Sequence, residues 1–286
     1  MNYILKLAEK FFGYSGLYKI GNELNKLNYI QTQIFLESKL QQTKYQNDLR
    51  LNKFEFQSHS QNGEDGIIHE IFQRIGTTNK FFVEFGVGNG LQNNSAHLLL
   101  DGWKGLWIEA DDKNNENISN ALENQINSGQ LILKKQFIYK NNLKTILDEI
   151  KAPIEMDMLS IDIDGNDYWV WKYLEVYQPR LLVIEYNGAL GPYIDWKMEY
   201  DEKHFWNGSK GIRFGASLES FVKLGFEKGY SLVGCNLTGV NAFFVRNDLV
   251  NKGNFCEPYS AVNHFEKPLY FMEHTLGHKR INSIFK

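Results

Sequence analysis

The chain has few of the residues that staple small secreted folds. It carries two cysteines in 286 residues. Cys235 and Cys256 lie far apart and form no C-x-x-C pair, so neither a disulfide framework nor a structural zinc site is expected. Proline is absent from the first 52 residues. No apolar run approaches the roughly 20 residues needed to span a bilayer. The N-terminus lacks a long apolar segment with a small-residue cleavage site, so it is not read as a signal peptide and a cytoplasmic location is expected. Excess charge is also missing. Lys and Arg total 31 against 34 Asp and Glu, a net charge of −3. No global basic field invites nucleic acid, and an acidic small substrate would need local attraction.

What is present is a large supply of core material. Hydrophobic residues make up 43% and aromatics 14%, which argues against disorder. The length suits one large α/β domain with a modest extension. Residues 1–52 read as an N-terminal helical extension, 53–250 as the main domain, and 251–286 as a C-terminal tail packed on it. Within the extension, Leu24, Leu27, Ile30, Ile34, Phe35 and Leu40 recur at roughly helical spacing. That predicts one long amphipathic helix preceded by a shorter one. Such a helix packs on its own domain or on a second copy, making a homodimer. A membrane-surface role for Phe11 and Phe12 is the lesser reading.

From Phe54 to Asp248 strand and helix patterns alternate. Apolar runs predict strands at 81–85, 105–108, 131–135, 158–163 and 181–186, with helices between. Two more strands, 230–235 and 241–245, flank an Asn-Leu-Thr-Gly turn and form a hairpin. The pattern implies a Rossmann-like, doubly wound and mainly parallel sheet with one antiparallel strand.

The first strand runs into Gly86-Val87-Gly88-Asn89-Gly90. Glycines permit a tight turn and close approach of a ligand. The next strand ends in Glu109, an acid placed to accept hydrogen bonds from ribose hydroxyls. A dinucleotide fingerprint is G-x-G-x-x-G; here the third glycine comes one place early. Glu84, inside the strand, would repel a pyrophosphate but tolerates a cationic sulfonium. The turn therefore favours S-adenosylmethionine over a nicotinamide dinucleotide.

Two later strands end in Asp162-Ile163-Asp164-Gly165-Asn166-Asp167 and Glu185-Tyr186-Asn187. If these strands are neighbours, Asp162, Asp164, Glu185 and Asn187 converge near the glycine turn. Crowded carboxylates need a cation or a proton between them. Asp162, Glu185 and Asn187 offer oxygen ligands for Mg or Mn. Alternatively, a carboxylate acts as general base with its pKa raised by its neighbours. Asp164 or Asn166 is expected to cap the following helix. Upstream, Gln61, Glu64 and Asp65 exceed what one helix cap requires and are candidates to cover the cofactor's amino-acid end. The segment Asn187 to Gly215 is long and aromatic, as substrate lids are. It holds His204, a candidate for general base. His274 and His278 share a helical face and are read as structural.

Taken together, Ser60 to Gly66, Phe82 to Val87, Gly105 to Glu109, Leu159 to Trp171, Val183 to Asn187, Phe214 to Leu218 and Gly229 to Asp248 resemble the FkbM-like methyltransferases of surface-polysaccharide gene clusters. The resemblance implies a class I methyltransferase fold with a seven-stranded sheet. It also implies O-methylation of a sugar, nucleotide sugar or related hydroxyl in capsule or O-antigen biosynthesis. Glu84, Gly86 and Gly88 would line the methionine side of the cofactor, and Glu109 would hold the ribose. The Asp162, Glu185 and Asn187 set resembles the magnesium site of catechol-type O-methyltransferases, although Glu-Tyr-Asn replaces their adjacent Asp-Asn. A nicotinamide-dependent sugar oxidoreductase and a non-catalytic Rossmann-like module are the competing readings.

Overall fold

The computed structural model describes residues 2–204 and 214–269. The chain opens with helix α1 (Asn2–Leu40), followed by short 3-10 turns at Thr43–Tyr45 and Leu51–Phe54. Alternation then begins: α2 (Glu64–Ile75), β1 (Phe81–Phe85), α3 (Ala96–Leu100), β2 (Lys104–Glu109), α4 (Asp112–Ala121), α5 (Glu123–Asn127) and β3 (Leu131–Lys135). There follow α6 (Leu143–Glu149), β4 (Met158–Ile161), α7 (Asp167–Tyr173), β5 (Leu181–Glu185), α8 (Leu218–Lys228), β6 (Tyr230–Cys235), β7 (Asn241–Arg246) and α9 (Ala261–His264).

The seven strands make one sheet in the order β3-β2-β1-β4-β5-β7-β6. Neighbours from β3 to β5 pair parallel, while β7 runs antiparallel to both β5 and β6. This is the Rossmann-like sheet with one antiparallel strand that the sequence predicted. The parallel strands are apolar on both faces because helices cover both. On one face Val83, Phe85, Leu106, Leu159, Leu182 and Phe244 pack with Trp171 and Phe221. On the other, Phe82, Trp107, Met158, Val183 and Phe243 pack with Ile67, Ile71 and Leu99. Helix α8 shows how the local code works. Ser217 caps it through the Ser220 amide, and Gly229 closes it in the left-handed conformation.

Three elements differ from expectation. The N-terminal region is one continuous helix rather than a short and a long one. Tyr45, Arg50, Leu51 and Asn52, which the sequence reading places in the N-terminal extension, are buried. The helix expected between the strands 105–108 and 131–135 divides at Leu122, whose φ of −116° leaves the helical region. Glu266 pairs with Lys39 at 2.8 Å and Lys44 at 2.7 Å, and accepts from the Tyr45 hydroxyl. His274 and His278 lie outside the described residues.

Candidate functional site

Strand order decides what meets at the carboxyl end of the sheet. β1 lies between β2 and β4, and β4 beside β5. The glycine turn after β1 is thereby flanked by Glu109 at the end of β2 and Asp162 just beyond β4. The junction is tight. Gly86 has φ +71°, and a Cβ placed on it would sit 1.7 Å from the Asp162 carbonyl oxygen. Glycine is required there twice over, for its backbone conformation and for the approach of β4. Gly88 also has positive φ, +54°, but no atom lies within 4 Å of where its Cβ would be. That side of the turn faces open space, as a ligand cradle needs.

Glu109 braces the turn. Its carboxylate accepts from the Gly88 amide at 2.7 Å and from the Asp111 amide at 2.9 Å. Glu84 sits deeper. Side chains alternate along β1, so Glu84 shares the Phe82 face and lies level with Trp107 on β2 and Ser160 on β4. Its carboxylate accepts from the Asn93 amide side chain, the Asn94 and Ser95 amides and the Ser95 hydroxyl. Trp107 and Asn94 extend the network by donating to the Ser95 and Ser160 hydroxyls. Burial raises the Glu84 pKa, and these donors work against that rise. Glu84 therefore fixes the loop 93–95 from beneath the turn.

Glu64 and Asp65 behave similarly. Glu64 is fully buried and accepts from the side-chain amides of Asn236 and Asn241, both at 2.8 Å, and from the Asn62 amide. Burial raises its pKa. Asp65 gathers the amides of Ser58, His59 and Ser60 on one oxygen. Its other oxygen, together with Asn93 Oδ1 and Asn241 Oδ1, is buried without a hydrogen-bond partner. Gln61 is exposed, and its carbonyl accepts from Gln57. The four acids thus tie together the loops around the turn, and the buried acceptor atoms of Asp65, Asn93 and Asn241 remain unsatisfied.

The carboxylate cluster forms across the β4 and β5 tips. Oxygens of Asp162, Asp164 and Glu185 all lie within 4.8 Å of one another. Burial pushes the Asp162 and Glu185 carboxyls well above the usual carboxylate range. The neighbouring acids add to it: Asp167, Asp164 and Glu84 on Asp162, and Asp162 itself on Glu185. Asp164 has φ +56°, and burial raises its pKa while His204 lowers it. The His204 Nε2 lies 2.9 Å from the Asp164 carbonyl oxygen. Gly165 makes room for that ring: a Cβ there would stand 2.3 Å from His204 Cδ2. His204, a candidate general base from the sequence, thus lies beside the cluster.

Asn187 is otherwise employed. It is 1% exposed. Its Oδ1 accepts from the Ala189 amide and its Nδ2 donates to the Phe214 carbonyl. The third carboxylate in the cluster comes from Asp164. The expected capping by Asp164 or Asn166 is corrected: no side chain caps α7 from its N-cap Asn166. Asp167 organises that turn instead, accepting from the amides of Ile163 and Gly165. Burial raises its pKa to about 6. Sequence reasoning missed Asp167, Asn93, Asn94, Ser95, Asn236 and Asn241. The polar run Asn93-Asn94-Ser95 just before an apolar helix was the available signal. Phe205 and Trp206 of the expected lid lie outside the described residues.

No family model matches the chain, and no curated protein matches it. Among solved structures, similarity extends to the magnesium protoporphyrin IX methyltransferase of Synechocystis PCC 6803 with bound SAM. The TM-score is 0.40 with 12% identity, over 64% of this chain and 77% of that one. The N-terminal domain of EvdMO1 with bound SAH gives a TM-score of 0.41 and 10% identity, over 68% and 81%. The glycopeptide N-methyltransferase MtfA with bound SAH gives 0.38 and 11%, over 68% and 90%. Likeness at this level carries no argument about what this chain binds or transforms.

Proposed function

We propose that the chain is an S-adenosylmethionine-dependent O-methyltransferase. Its acceptor is a hydroxyl of a sugar or nucleotide sugar in surface-polysaccharide biosynthesis. One observation carries the reading. The Gly86 backbone abuts Asp162, so the glycine cradle and the acid cluster share one end of the sheet, where ligands collect in parallel α/β folds.

The residues fit the methyl donor. Gly88 leaves a cradle open. Glu109, whose carboxylate accepts from the Gly88 amide, supplies the acceptor for ribose hydroxyls. The unsatisfied acceptors of Asp65, Asn93 and Asn241 suit a group rich in donors, such as the ammonium of an amino acid. When bound, S-adenosylmethionine supplies an electrophilic methyl on a sulfonium centre. The Asp162, Asp164 and Glu185 oxygens also fit a hard divalent cation, which when bound would acidify an acceptor hydroxyl. Without a cation, Asp162, which lies in the acid cluster next to the glycine turn, is the group that takes the hydroxyl proton. The chain's part is to hold acceptor oxygen and methyl in line, where positioning supplies much of the rate.

Calorimetric titration with S-adenosylhomocysteine, and separately with NADH, tests this reading. Saturable binding of S-adenosylhomocysteine, weakened at least tenfold by Glu109→Ala, is expected. Binding of NADH alone, or of neither compound, removes it.

A further inference from the structure

Helix α1 (Asn2–Leu40) is long and precedes the domain. Its 39 residues extend about 58 Å at 1.5 Å per residue. Lys39, near its C-terminus, is anchored to Glu266 and to the Leu237 carbonyl. From Gly16 to Ser38, none of its residues is buried. Tyr29, Thr32, Gln33 and Leu36, on one side, are half-covered. The opposite side carries Ile20, Leu24, Leu27, Ile30, Ile34 and Phe35, each 45–60% exposed. An isolated helix without tertiary packing is marginal in water, and one that presents a row of aliphatic side chains needs something to cover them.

The spacing of that row says what covers it. Leu17, Ile20, Leu24, Leu27, Gln31, Ile34 and Ser38 follow one another at alternating steps of three and four residues. That is the seam of a left-handed coiled coil, with Leu17, Leu24, Gln31 and Ser38 in one set of core positions and Ile20, Leu27 and Ile34 in the other. Polar residues at core positions, here Gln31 and Ser38, set register at some cost in stability.

Two apolar side chains, Ile30 and Phe35, lie off the seam on its two flanks. In a parallel, in-register pair the flanking residues Glu23 and Ile30, each just before a core position of the first set, meet the residues five places further along the partner. Ile30 then meets Phe35 of the second copy, and Glu23 meets Asn28, with no like charges opposed. An antiparallel pair with Leu24 set against Leu27 puts Glu23 against Ile30 instead.

We propose that α1 forms a parallel, in-register, two-stranded coiled coil with a second copy of this chain, placing two domains side by side at its C-terminal end. Sedimentation equilibrium of the full chain at tens of micromolar is expected to give twice the 33.3 kDa chain mass. The double variant Leu27→Glu, Ile34→Glu is expected to sediment as a monomer with an unchanged near-ultraviolet spectrum of the domain. Gln31→Cys reads the register, because only the parallel in-register pair brings the two new thiols within disulfide reach. Cys235 and Cys256 are buried and stay out of the reaction. Mild oxidation of that variant is expected to yield a covalent dimer.

A monomeric wild-type chain overturns the proposal. So does a dimer that survives the double variant, or one whose Gln31→Cys form refuses to cross-link. Monomeric chain that co-sediments with phosphatidylglycerol vesicles, and loses this with the double variant, assigns the face to a membrane surface and overturns it too. None of these readings depends on catalysis or on cofactor binding.

Discussion

Comparing Gly86→Ala with Gly88→Ala isolates the junction on which the site depends. Both glycines have positive φ, +71° and +54°, so alanine at either costs about 1–2 kcal/mol for the left-handed backbone. Only Gly86 faces an obstacle. Its added methyl would overlap the Asp162 carbonyl oxygen at 1.7 Å. Relief requires β1 and the β4 tip to part by more than an ångström, and forced overpacking of this kind costs about 1–3 kcal/mol more. Gly86→Ala should therefore lose about 2–5 kcal/mol, against about 1–2 for Gly88→Ala. Urea unfolding followed by tryptophan fluorescence reads the difference, since Trp107 and Trp171 are fully buried. Equal losses for the two variants would refute the close approach of the glycine turn and Asp162.

Two further predictions concern the scaffold. Asp157, at the opposite end of β4, accepts from the Thr78, Asn79 and Lys80 amides and the Thr78 hydroxyl, and faces Arg180 Nε at 3.1 Å. Asp157→Asn strands a buried guanidinium and should cost about 3–5 kcal/mol, while S-adenosylhomocysteine titrates as in wild type. A loss below 1 kcal/mol in urea unfolding would show that the pair holds nothing together. His264 is 3% exposed and its ring lies 3.0 Å from the Cys256 carbonyl. Burial, with Arg50 and Lys44 adding, lowers its pKa from 6.5 to about 3. The folded state thus binds fewer protons than the unfolded one between those values. Stability from this source is complete above pH 6.5 and drains away as pH falls toward 3, by about 2 kcal/mol between pH 7 and 5. His264→Phe should flatten that slope, and an unchanged slope in the variant would exclude His264 as its origin.

The alternation of strands and helices was legible because each central strand is a short apolar run closed by glycine or an acid. The hairpin was legible from its turn. Element ends were less legible where distant side chains hold the chain, as before α3, where the Asn94 and Ser95 amides turn onto the Glu84 carboxylate. The convergence of Asp162 and Glu185 followed from placing β4 beside β5. The roles of Glu84, Glu64 and Asp65 did not follow. Each is set by backbone amides and distant asparagines, and an amide donor leaves no mark in a sequence. Asn187 shows the same limit. Its residue type suits a metal as well as a turn, and the 3-10 turn at Gly188–Leu190 that occupies it depends on tertiary context. Asp164 entered the cluster because it turns back in the left-handed conformation beside Glu185, a direction that residue spacing does not encode.

The most direct test of the proposed chemistry is a crystal structure of the chain grown with S-adenosylhomocysteine and manganese, with anomalous density measured at the manganese edge. The expected result is the ligand lying along Gly86 and Gly88, its ribose against Glu109 and its sulfur turned toward Asp162, with manganese density among Asp162, Asp164 and Glu185. Ligand density elsewhere on the molecule, or none at saturating concentration, would contradict the assignment of this end of the sheet to methyl transfer.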